Sequence, residues 1–221
     1  MSTRTALVTG GSRGIGAAVA DRLASDGWRV LTPTRRELDL SEPVSVADYL
    51  TDAPDIFGLV LNAGINEPHP LTDIDDETWH RTMDTNTTSA FQILRTIAPR
   101  MAADAGGRIV AISSAYSPRA RSGRAAYSAS KSALEALVRS TSVEYAASGV
   151  LANAVAPGFV NTELTRRNND PAAIHALLDR VPVGRLAEPE EVAAVIAFLL
   201  APENTYVTGQ TIAVDGGWSC T

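Results

Sequence analysis

The chain has 221 residues, of which 45% are hydrophobic, enough for one domain with a substantial core. Its formal net charge of -6 excludes nucleic-acid binding through overall positive charge. The single cysteine, Cys220, excludes an internal disulfide and a cysteine metal cluster, and we expect no metal. No apolar run approaches the ~20 residues that would span a bilayer. The sequence therefore predicts a soluble, cytoplasmic protein with no membrane partner.

Short apolar runs alternate along the chain with segments in which apolar residues recur at helical spacing. Such alternation predicts an α/β fold, a doubly wound parallel sheet with right-handed crossovers, in a single domain of residues 1–221. The predicted strands are 5–8, 28–31, 37–40, 58–61, 108–113, 150–155 and 211–214, and the predicted helices are 15–25, 44–50, 75–103, 125–147 and 189–200.

Two segments depart from this alternation. The predicted strand 37–40 follows strand 28–31 so closely that almost no room is left for the crossover helix that parallel strands need. Residues 161–185 are polar and contain Pro171 and Pro182, which favours a mobile excursion over a second domain. We expect this excursion to act as a lid over the substrate.

A glycine-rich stretch, Thr9 to Gly16, lies between the first predicted strand and the first predicted helix. Glycine permits a tight turn and close backbone approach, and a helix N-terminus offers unpaired N–H groups to a pyrophosphate. The stretch therefore predicts a dinucleotide site. Three residues separate Gly10 from Gly14, a looser spacing than G-x-G-x-x-G, and an ordinary turn is the alternative.

Tyr127 and Lys131 are four residues apart in a segment of helical period, which places them on one face, one turn apart. A cation beside a phenol favours the phenolate. Lys131 can therefore bring the pKa of tyrosine down from ~10 toward the range that proton transfer near neutrality needs. The alternative is a surface tyrosine and lysine on an ordinary helix, because the pattern is short.

Besides these two motifs, the chain contains Asn62-Ala63-Gly64, Ser114 and Pro157-Gly158. In this order the five motifs resemble those of the short-chain dehydrogenase/reductase family, and the resemblance covers nearly the whole chain. Residues 185–192 and 209–217 are similar to the branch that contains 3-oxoacyl-acyl-carrier-protein reductases. The resemblance implies a seven-stranded Rossmann-like sheet and hydride transfer between a nicotinamide cofactor and a carbonyl or alcohol.

The resemblance implies catalytic roles for four residues. Tyr127 would protonate the carbonyl oxygen in reduction, or act as the base in oxidation, and Lys131 would lower its pKa and hold the nicotinamide ribose. Ser114, thirteen residues before Tyr127, would polarise the substrate oxygen, while Ser113 would face the packed side of the sheet. Asn86 would relay protons through water to Lys131. The alternative for Asn86 is a solvated polar residue on a helix surface.

The resemblance also implies a set of cofactor-binding residues. The glycine stretch would meet the pyrophosphate, residues 39–40 the adenine ring, and the segment 153–162, including Asn153, the nicotinamide. The full set is Gly10, Ser12, Arg13, Gly14, Ile15, Gly16, Thr34, Arg35, Arg36, Asp39, Leu40, Asn62, Ala63, Gly64, Tyr127, Lys131, Pro157, Gly158, Val160 and Thr162.

The end of the second predicted strand bears on the choice of cofactor. A site that prefers NAD(H) usually places a carboxylate there, on the ribose hydroxyls. Thr34 occupies that place, followed by Arg35 and Arg36, and Arg13 can converge on the same point. Guanidinium groups bind a 2′-phosphate through charge-assisted bonds, so the sequence predicts NADP(H) rather than NAD(H). The alternative is that Arg35 and Arg36 are ordinary solvated loop cations.

Three arginines, Arg119, Arg121 and Arg124, precede Tyr127, and residues 166–167 add two more in the predicted lid. We expect them to attract an anionic substrate or an acidic acyl carrier. The alternative is a set of solvated loop cations, because exposed arginines are common.

We therefore expect an NADP(H)-dependent reductase that converts a ketone to a secondary alcohol, with a 3-oxoacyl-carrier or another anionic substrate. A sugar, polyol or other hydroxy-compound dehydrogenase is the alternative within the enzyme class, and a non-catalytic NADP(H)-sensing regulator is the alternative outside it. No nucleic-acid partner is expected. The resemblance implies a homotetramer formed through the two long helices and the C-terminal segment.

Overall fold

The computed structural model describes residues 3–221, so residues 1 and 2 of the predicted domain lie outside the described residues. The strands are β1 Thr5–Val8, β2 Arg29–Leu31, β3 Gly58–Leu61, β4 Gly107–Ile112, β5 Val150–Pro157 and β6 Thr211–Val214. The helices are α1 Gly14–Ser25, α2 Pro43–Thr51, α3 Asp76–Met83, α4 Ser89–Ala103, α5 Ala125–Tyr145, α6 Glu163–Asn168, α7 Pro171–Leu178 and α8 Pro189–Leu200.

The six described strands form one parallel sheet in the order β2-β1-β3-β4-β5-β6, which confirms the predicted Rossmann-like α/β fold. Helices cover both faces, so β3, β4 and β5 are buried along their whole length and are mostly apolar, with Arg108 and Asn153 as buried exceptions. Val19 of α1 packs in the core of one face with Ile196 of α8. Leu50 of α2, Ile93 of α4 and Leu134 of α5 fill the other.

The predicted seventh strand, residues 37–40, is wrong. Only residues 32–42 separate β2 from α2, and a parallel strand needs a crossover of roughly a dozen residues or more before it. The segment turns instead: the N–H groups of Glu37 and Leu38 both donate to the carbonyl oxygen of Thr34, at 3.0 and 2.9 Å. Leu38 is buried and enters the core, and the chain proceeds directly into α2.

The predicted long helix 75–103 is continuous but changes pitch in its middle. Asp75 caps α3 by accepting a hydrogen bond from the N–H of Thr78. Residues Asp84–Thr88 then form a π-helical turn, and α4 continues to Ala103. Such turns often occur at functional sites. This one carries Asn86, which is 2% exposed, so its solvated alternative is wrong.

Residues 161–185, expected to be irregular, contain the short helices α6 and α7. Thr162 and Asp170 explain their starts, because each accepts a hydrogen bond from the N–H three residues ahead. Proline at the first turn of α7 is also favourable for a helix start. Across residues 3–221, no helix combines the length and apolar character needed to cross a membrane.

Candidate active site

Tyr127 and Lys131 lie one turn apart near the start of α5. Lys131 is 2% exposed, and its Nζ donates a hydrogen bond of 2.7 Å to the carbonyl oxygen of Ile112, the last residue of β4. The same Nζ lies 5.9 Å from the centroid of the Tyr127 ring. The end of the sheet therefore holds the ammonium beside the phenol. Lys131 is also the only lysine in the sequence.

The surroundings of these two side chains shift their acidities in opposite directions. Burial lowers the pKa of Lys131 from 10.5 to about 8. Burial raises the pKa of Tyr127 above its ordinary value, while hydrogen bonding to Ser114 and the positive charge of Arg124 oppose that rise. The phenol of Tyr127 is therefore protonated at neutral pH, as a proton donor must be. Lys131 is not among the groups that change this pKa, so the predicted lowering of the pKa of Tyr127 by Lys131 is wrong for the protein without cofactor.

Two serines follow β4 and have different partners. Ser113 is buried, and its Oγ donates a hydrogen bond of 2.5 Å to Oε1 of Glu135 on α5. Ser114 is also buried, but its Oγ accepts a hydrogen bond of 3.2 Å from the N–H of Tyr116 and lies close enough to Tyr127 to lower the phenol's pKa. Consecutive residues of an extended chain point to opposite sides, so only Ser114 shares the site of Tyr127.

Asn86 in the π-helical turn connects the site to the loop after β3. Its Nδ2 donates to the carbonyl oxygen of Ile65 and to Oγ of Ser130, both at 2.9 Å, and its Oδ1 accepts from the N–H of Ile65 at 2.8 Å. Ser130 donates onward to the carbonyl oxygen of Tyr127 at 2.7 Å. A Cβ at Gly64 would lie 3.1 Å from Oδ1 of Asn86 and 3.3 Å from Nζ of Lys131. The four predicted catalytic residues therefore lie together.

The glycine stretch packs directly against the Asn62-Ala63-Gly64 motif. Nδ2 of Asn62 donates to the carbonyl oxygens of Thr9 and Gly10, at 3.0 and 3.1 Å, and Oγ1 of Thr9 accepts from the N–H groups of Asn62 and Ala63. Gly10 has a φ of 65°, which favours glycine. A Cβ at Gly16 would lie 2.3 Å from the Gly10 carbonyl oxygen. These contacts fix the turn that leads into α1.

The start of α1 fits a dinucleotide pyrophosphate. No side chain caps its N-terminus, so its first N–H groups are available to an anion. Ser12 is exposed at this end, whereas Ile15 packs toward the core between α1 and α8. The motif residues thus combine close backbone packing with an uncapped helix end, the arrangement that pyrophosphate binding requires.

Near the predicted adenosine site, the three predicted arginines differ in their ion-pair partners and exposure. Arg13 pairs with Glu163 of α6 at 2.8 Å, and both side chains are at least 70% exposed. Arg35 pairs with Asp39 at 3.1 Å, and Arg36 is exposed. Leu40, predicted to contact the adenine, packs partly against the core below the sheet.

Sequence reasoning missed Glu37 at this position. Its carboxylate accepts hydrogen bonds from the N–H and Oγ1 of Thr34, at 2.8 and 2.9 Å, and these bonds lower its pKa. A negative charge therefore does lie close to the end of β2, beside Arg35 and Arg36. The signal was present in the sequence, because an acidic residue three positions after a threonine is a common capping arrangement.

The predicted nicotinamide turn follows β5, which ends at Pro157. A Cβ at Gly158 would lie 2.8 Å from Cα of Asp215, so the two turns are in close contact. Val160 is buried, and Thr162 approaches the glycine stretch, with its Cγ2 only 3.3 Å from a Cβ placed on Gly14. Asn153 does not join this turn. It is buried within β5, and its amide bonds to Val207 and Gln210.

The five predicted anion-attracting arginines do not form one cluster. Arg124 is 5% exposed at the start of α5, and Arg121 donates to the hydroxyl of Tyr116 at 2.7 Å. Arg119 donates to backbone oxygens near the end of the chain. Arg166 donates to Oδ1 of Asn161 at 2.5 Å, and Arg167 is exposed on α6. Of the five, Arg124 is therefore close enough to act on Tyr127, and Arg121 contacts the neighbouring Tyr116.

Among the described residues, no group of three or more histidine, cysteine, aspartate or glutamate side chains is arranged to hold a metal ion. The protonated phenol, the buried ammonium and the Ser114 hydroxyl instead supply a proton donor, a positive charge and a polar hydroxyl in one place. Such a set can protonate and polarise a carbonyl oxygen.

Comparison with known proteins agrees with this chemistry. A family model described as enoyl-(acyl carrier protein) reductase matches residues 37–219, and one described as short chain dehydrogenase matches residues 4–50. The 3-oxoacyl-[acyl-carrier-protein] reductase FabG of Vibrio cholerae is 36% identical, over 97% of this chain and 96% of its own.

Solved structures are similar over the whole chain. A putative gluconate dehydrogenase from Agrobacterium tumefaciens superposes with a TM-score of 0.93 at 34% identity, covering 99% of this chain and 96% of its own. A gluconate 5-dehydrogenase from Burkholderia cenocepacia, in complex with NADP and tartrate, gives 0.93 at 31% identity and covers 100% of this chain and 97% of its own. The chain thus belongs to the short-chain dehydrogenase/reductase family of oxidoreductases.

Proposed function

We propose that the protein reduces a ketone to a secondary alcohol by hydride transfer from NADP(H), with Tyr127 as the proton donor. The observation that carries this proposal is the arrangement at the start of α5. There a buried ammonium lies 5.9 Å from the Tyr127 ring, and Ser114 is close enough to change the pKa of the phenol.

When bound, the reduced nicotinamide supplies the hydride. Tyr127 passes its phenolic proton to the carbonyl oxygen as negative charge develops there, and the Ser114 hydroxyl donates a hydrogen bond to the same oxygen. Lys131 stabilises the phenolate left behind, because its ammonium is charged below about pH 8. Asn86 positions the loop at Ile65 and Ser130. We assign the return of the proton to water held near Asn86 and Lys131.

For the cofactor we infer NADP(H) rather than NAD(H). Arg35 and Arg36 lie beyond the end of β2, where guanidinium groups can bind a 2′-phosphate. The structure of the Burkholderia cenocepacia relative was solved with NADP. Glu37 is the opposing feature, since its carboxylate would repel that phosphate unless Thr34 and the arginines hold it away.

For the substrate we infer an anionic ketone, either a 3-oxoacyl group on a carrier or a smaller acid. The name of the Vibrio cholerae relative supports the carrier-bound form. The structural neighbours described as gluconate dehydrogenases favour a second candidate, the oxidation of a sugar acid or polyol.

The test measures NADPH oxidation with a panel of carrier-bound, acidic and neutral ketones, comparing the native protein with Tyr127→Phe. Loss of the proton donor should lower kcat by about 100-fold to 10,000-fold while NADPH binding persists. Equal rates in the two proteins would refute Tyr127 as the donor. NADPH binding without turnover on any ketone or polyol would instead favour an NADP(H)-sensing regulator.

Three further features complete the proposal: a lid, a homotetramer and a cytoplasmic location. The lid is residues 161–185, and it is tied to the site by the hydrogen bond of 2.9 Å from Asn168 to the carbonyl oxygen of Asn66.

The homotetramer is supported by exposed apolar side chains on the two long helices, with Phe91 of α4 44% exposed and Val143 of α5 86% exposed. Light scattering tests the assembly.

A further inference from the structure

A cavity of about 390 Å³ lies between the loop after β4, helix α7 and the end of the chain. It is separate from the groups assigned to cofactor binding, yet Tyr127 packs against the aromatic cluster that includes Tyr116 and Trp218. Two sides of one cluster thus face the cavity and the proton donor. Its lining includes Tyr116, Arg119, Arg121, Leu177, Arg180 and Trp218.

The polar side chains of this lining are three arginines and two aromatic residues, each of which carries an N–H or O–H group. Arg121 donates to the Tyr116 hydroxyl at 2.7 Å, which leaves the phenolic proton of Tyr116 free to donate in turn. Trp218 is 5% exposed, and its indole N–H has no acceptor among residues 3–221. The indole nitrogen itself is almost completely covered by protein, so the guanidinium groups, and not the indole, are the donors that this cavity offers to a ligand. No aspartate or glutamate belongs to the lining.

The arginines of the cavity are not equivalent. Arg119 donates to the backbone oxygens of Ser219 and Thr221 and packs over the Trp218 ring, 5.5 Å from its centroid, so it fixes the last segment of the chain. Arg180 is exposed, and no carboxylate of the described residues lies within 4.0 Å of Arg121 or Arg180. These two guanidinium groups are therefore the ones available to an anion.

The buried Arg124 adds positive charge close to Tyr116, Arg121 and the reacting phenol of Tyr127. Its one side-chain hydrogen bond to a described residue runs from Nη1 to Oδ1 of Asn66, at 2.7 Å, and Asn66 is neutral. Burial lowers the pKa of Arg124, the neighbouring phenols of Tyr116 and Tyr127 raise it, and Arg121 lowers it. A buried cation without a counter-ion is costly, and a bound anion would reduce that cost.

The geometry points to a carboxylate-binding subsite in this cavity, formed by the guanidinium groups of Arg121 and Arg180. The substrate is then a keto acid, or the matching hydroxy acid, whose carboxylate sits in the cavity while its carbonyl reaches Tyr127. This inference rests on the proposed reductase function and narrows its substrate to a free acid, in place of an acyl group on a carrier.

The experiment compares kcat/KM for NADPH-dependent reduction of 4-oxopentanoate and 5-oxohexanoate with that for their methyl esters, in which the anion is absent. We expect one acid to exceed its ester by about 10-fold to 100-fold, the range for hydrogen bonds to charged groups. Arg121→Gln should remove most of this preference through KM. Arg180→Gln should also reduce the preference for the acid over its ester, and because Arg180 is exposed the substitution should not impair folding. The control is Arg22→Gln on the remote helix α1, which removes the same charge and should leave that preference unchanged.

Two results would overturn the subsite. One is an ester reduced as efficiently as its acid by the native protein, with turnover lost in Tyr127→Phe; the reductase function would then stand without the subsite. The other is an equal loss of acid and ester activity in both arginine variants. If neither acids nor esters are reduced while a carrier-bound ketone is, the subsite fails and the reductase function stands; if no ketone or polyol is turned over, both fail.

Discussion

Lys131 donates its hydrogen bond of 2.7 Å to a backbone carbonyl oxygen, that of Ile112, and not to a carboxylate. A carboxylate partner would have kept the ammonium charged, whereas a neutral partner leaves burial to dominate its titration. This is why the pKa of Lys131 falls to about 8. Lys131, the residue proposed to stabilise the Tyr127 phenolate, therefore loses its charge close to physiological pH.

The first prediction concerns stability at alkaline pH. Lys131 titrates at about 8 when folded and near its ordinary 10.5 when unfolded, so between these values the unfolded chain binds more protons and Lys131 makes stability rise with pH. The unfolding free energy of the native protein minus that of Lys131→Met should therefore increase from pH 8 to about pH 10. Urea unfolding at stepped pH measures it. A flat or falling difference would contradict the lowered pKa.

The second prediction separates two adjacent serines. Ser114→Ala should lower kcat by about 100-fold, the loss expected when one hydrogen-bond donor to the developing oxyanion is removed, with little change in melting temperature. Ser113→Ala breaks the bond to the Glu135 carboxylate, so it should lower the melting temperature while kcat stays within a few-fold. Steady-state kinetics and thermal unfolding of both variants give the comparison. If Ser113→Ala instead lowers kcat and Ser114→Ala instead lowers the melting temperature, the roles assigned to the two serines are wrong.

The third prediction concerns the phosphate-binding turn. In Gly16→Ala the new Cβ would lie 2.3 Å from the Gly10 carbonyl oxygen, so the turn must move and NADPH affinity should fall at least about 10-fold. Gly27→Ala is the matched control. It has a φ of 84° but nothing within 4 Å, and should cost about 1 kcal/mol of stability without changing affinity. Fluorescence titration with NADPH measures both. Similar affinities in the two variants would argue against a close turn at Gly16.

The fourth prediction concerns the choice between the two nicotinamide cofactors. Arg36→Gln removes a cation that can bind the 2′-phosphate, so the ratio of kcat/KM for NADPH over NADH should fall about 10-fold or more. Glu37→Gln removes the nearby negative charge while an amide can still accept from Thr34, so the same ratio should rise. If Arg36→Gln leaves the ratio unchanged, this arginine is a solvated loop cation.

Much of the fold could be predicted because its strands lie in a sheet covered on both faces. Residues 58–61 and 211–214 were predicted with the observed bounds, since short apolar runs next to helical segments have few other interpretations. The prediction of a seventh strand was wrong because the segment between strand 28–31 and residue 37 is too short for the crossover that parallel strands need. The run Glu37 to Leu40 alternates as a strand would, but tertiary packing of Leu38 and the hydrogen bonds to Thr34 override that local pattern.

Part of the site could be predicted from short motifs. Helical spacing placed Tyr127 and Lys131 on one face, and the resemblance to a known family then selected Ser114 and gave all three residues their roles. The burial of Asn86 could not be predicted, because a π-helical turn changes which side chains face inward and leaves no signature in helical periodicity. Likewise, the five arginines look alike in the sequence. Their partners, the Tyr116 hydroxyl for Arg121 and backbone oxygens for Arg119, depend on how distant loops meet.

Eighteen arginines and one lysine carry the positive side chains of this chain, and the one lysine is 2% exposed inside the site. Lysine-directed chemistry on the folded protein therefore has a single internal target. An amine-reactive reagent would read out opening of the active site at Lys131 in one peptide, by mass spectrometry. A lysine-selective isotope label would give one resonance from the group that titrates there. Coupling to a solid support through surface lysines, in contrast, should fail, because the described surface carries no exposed lysine.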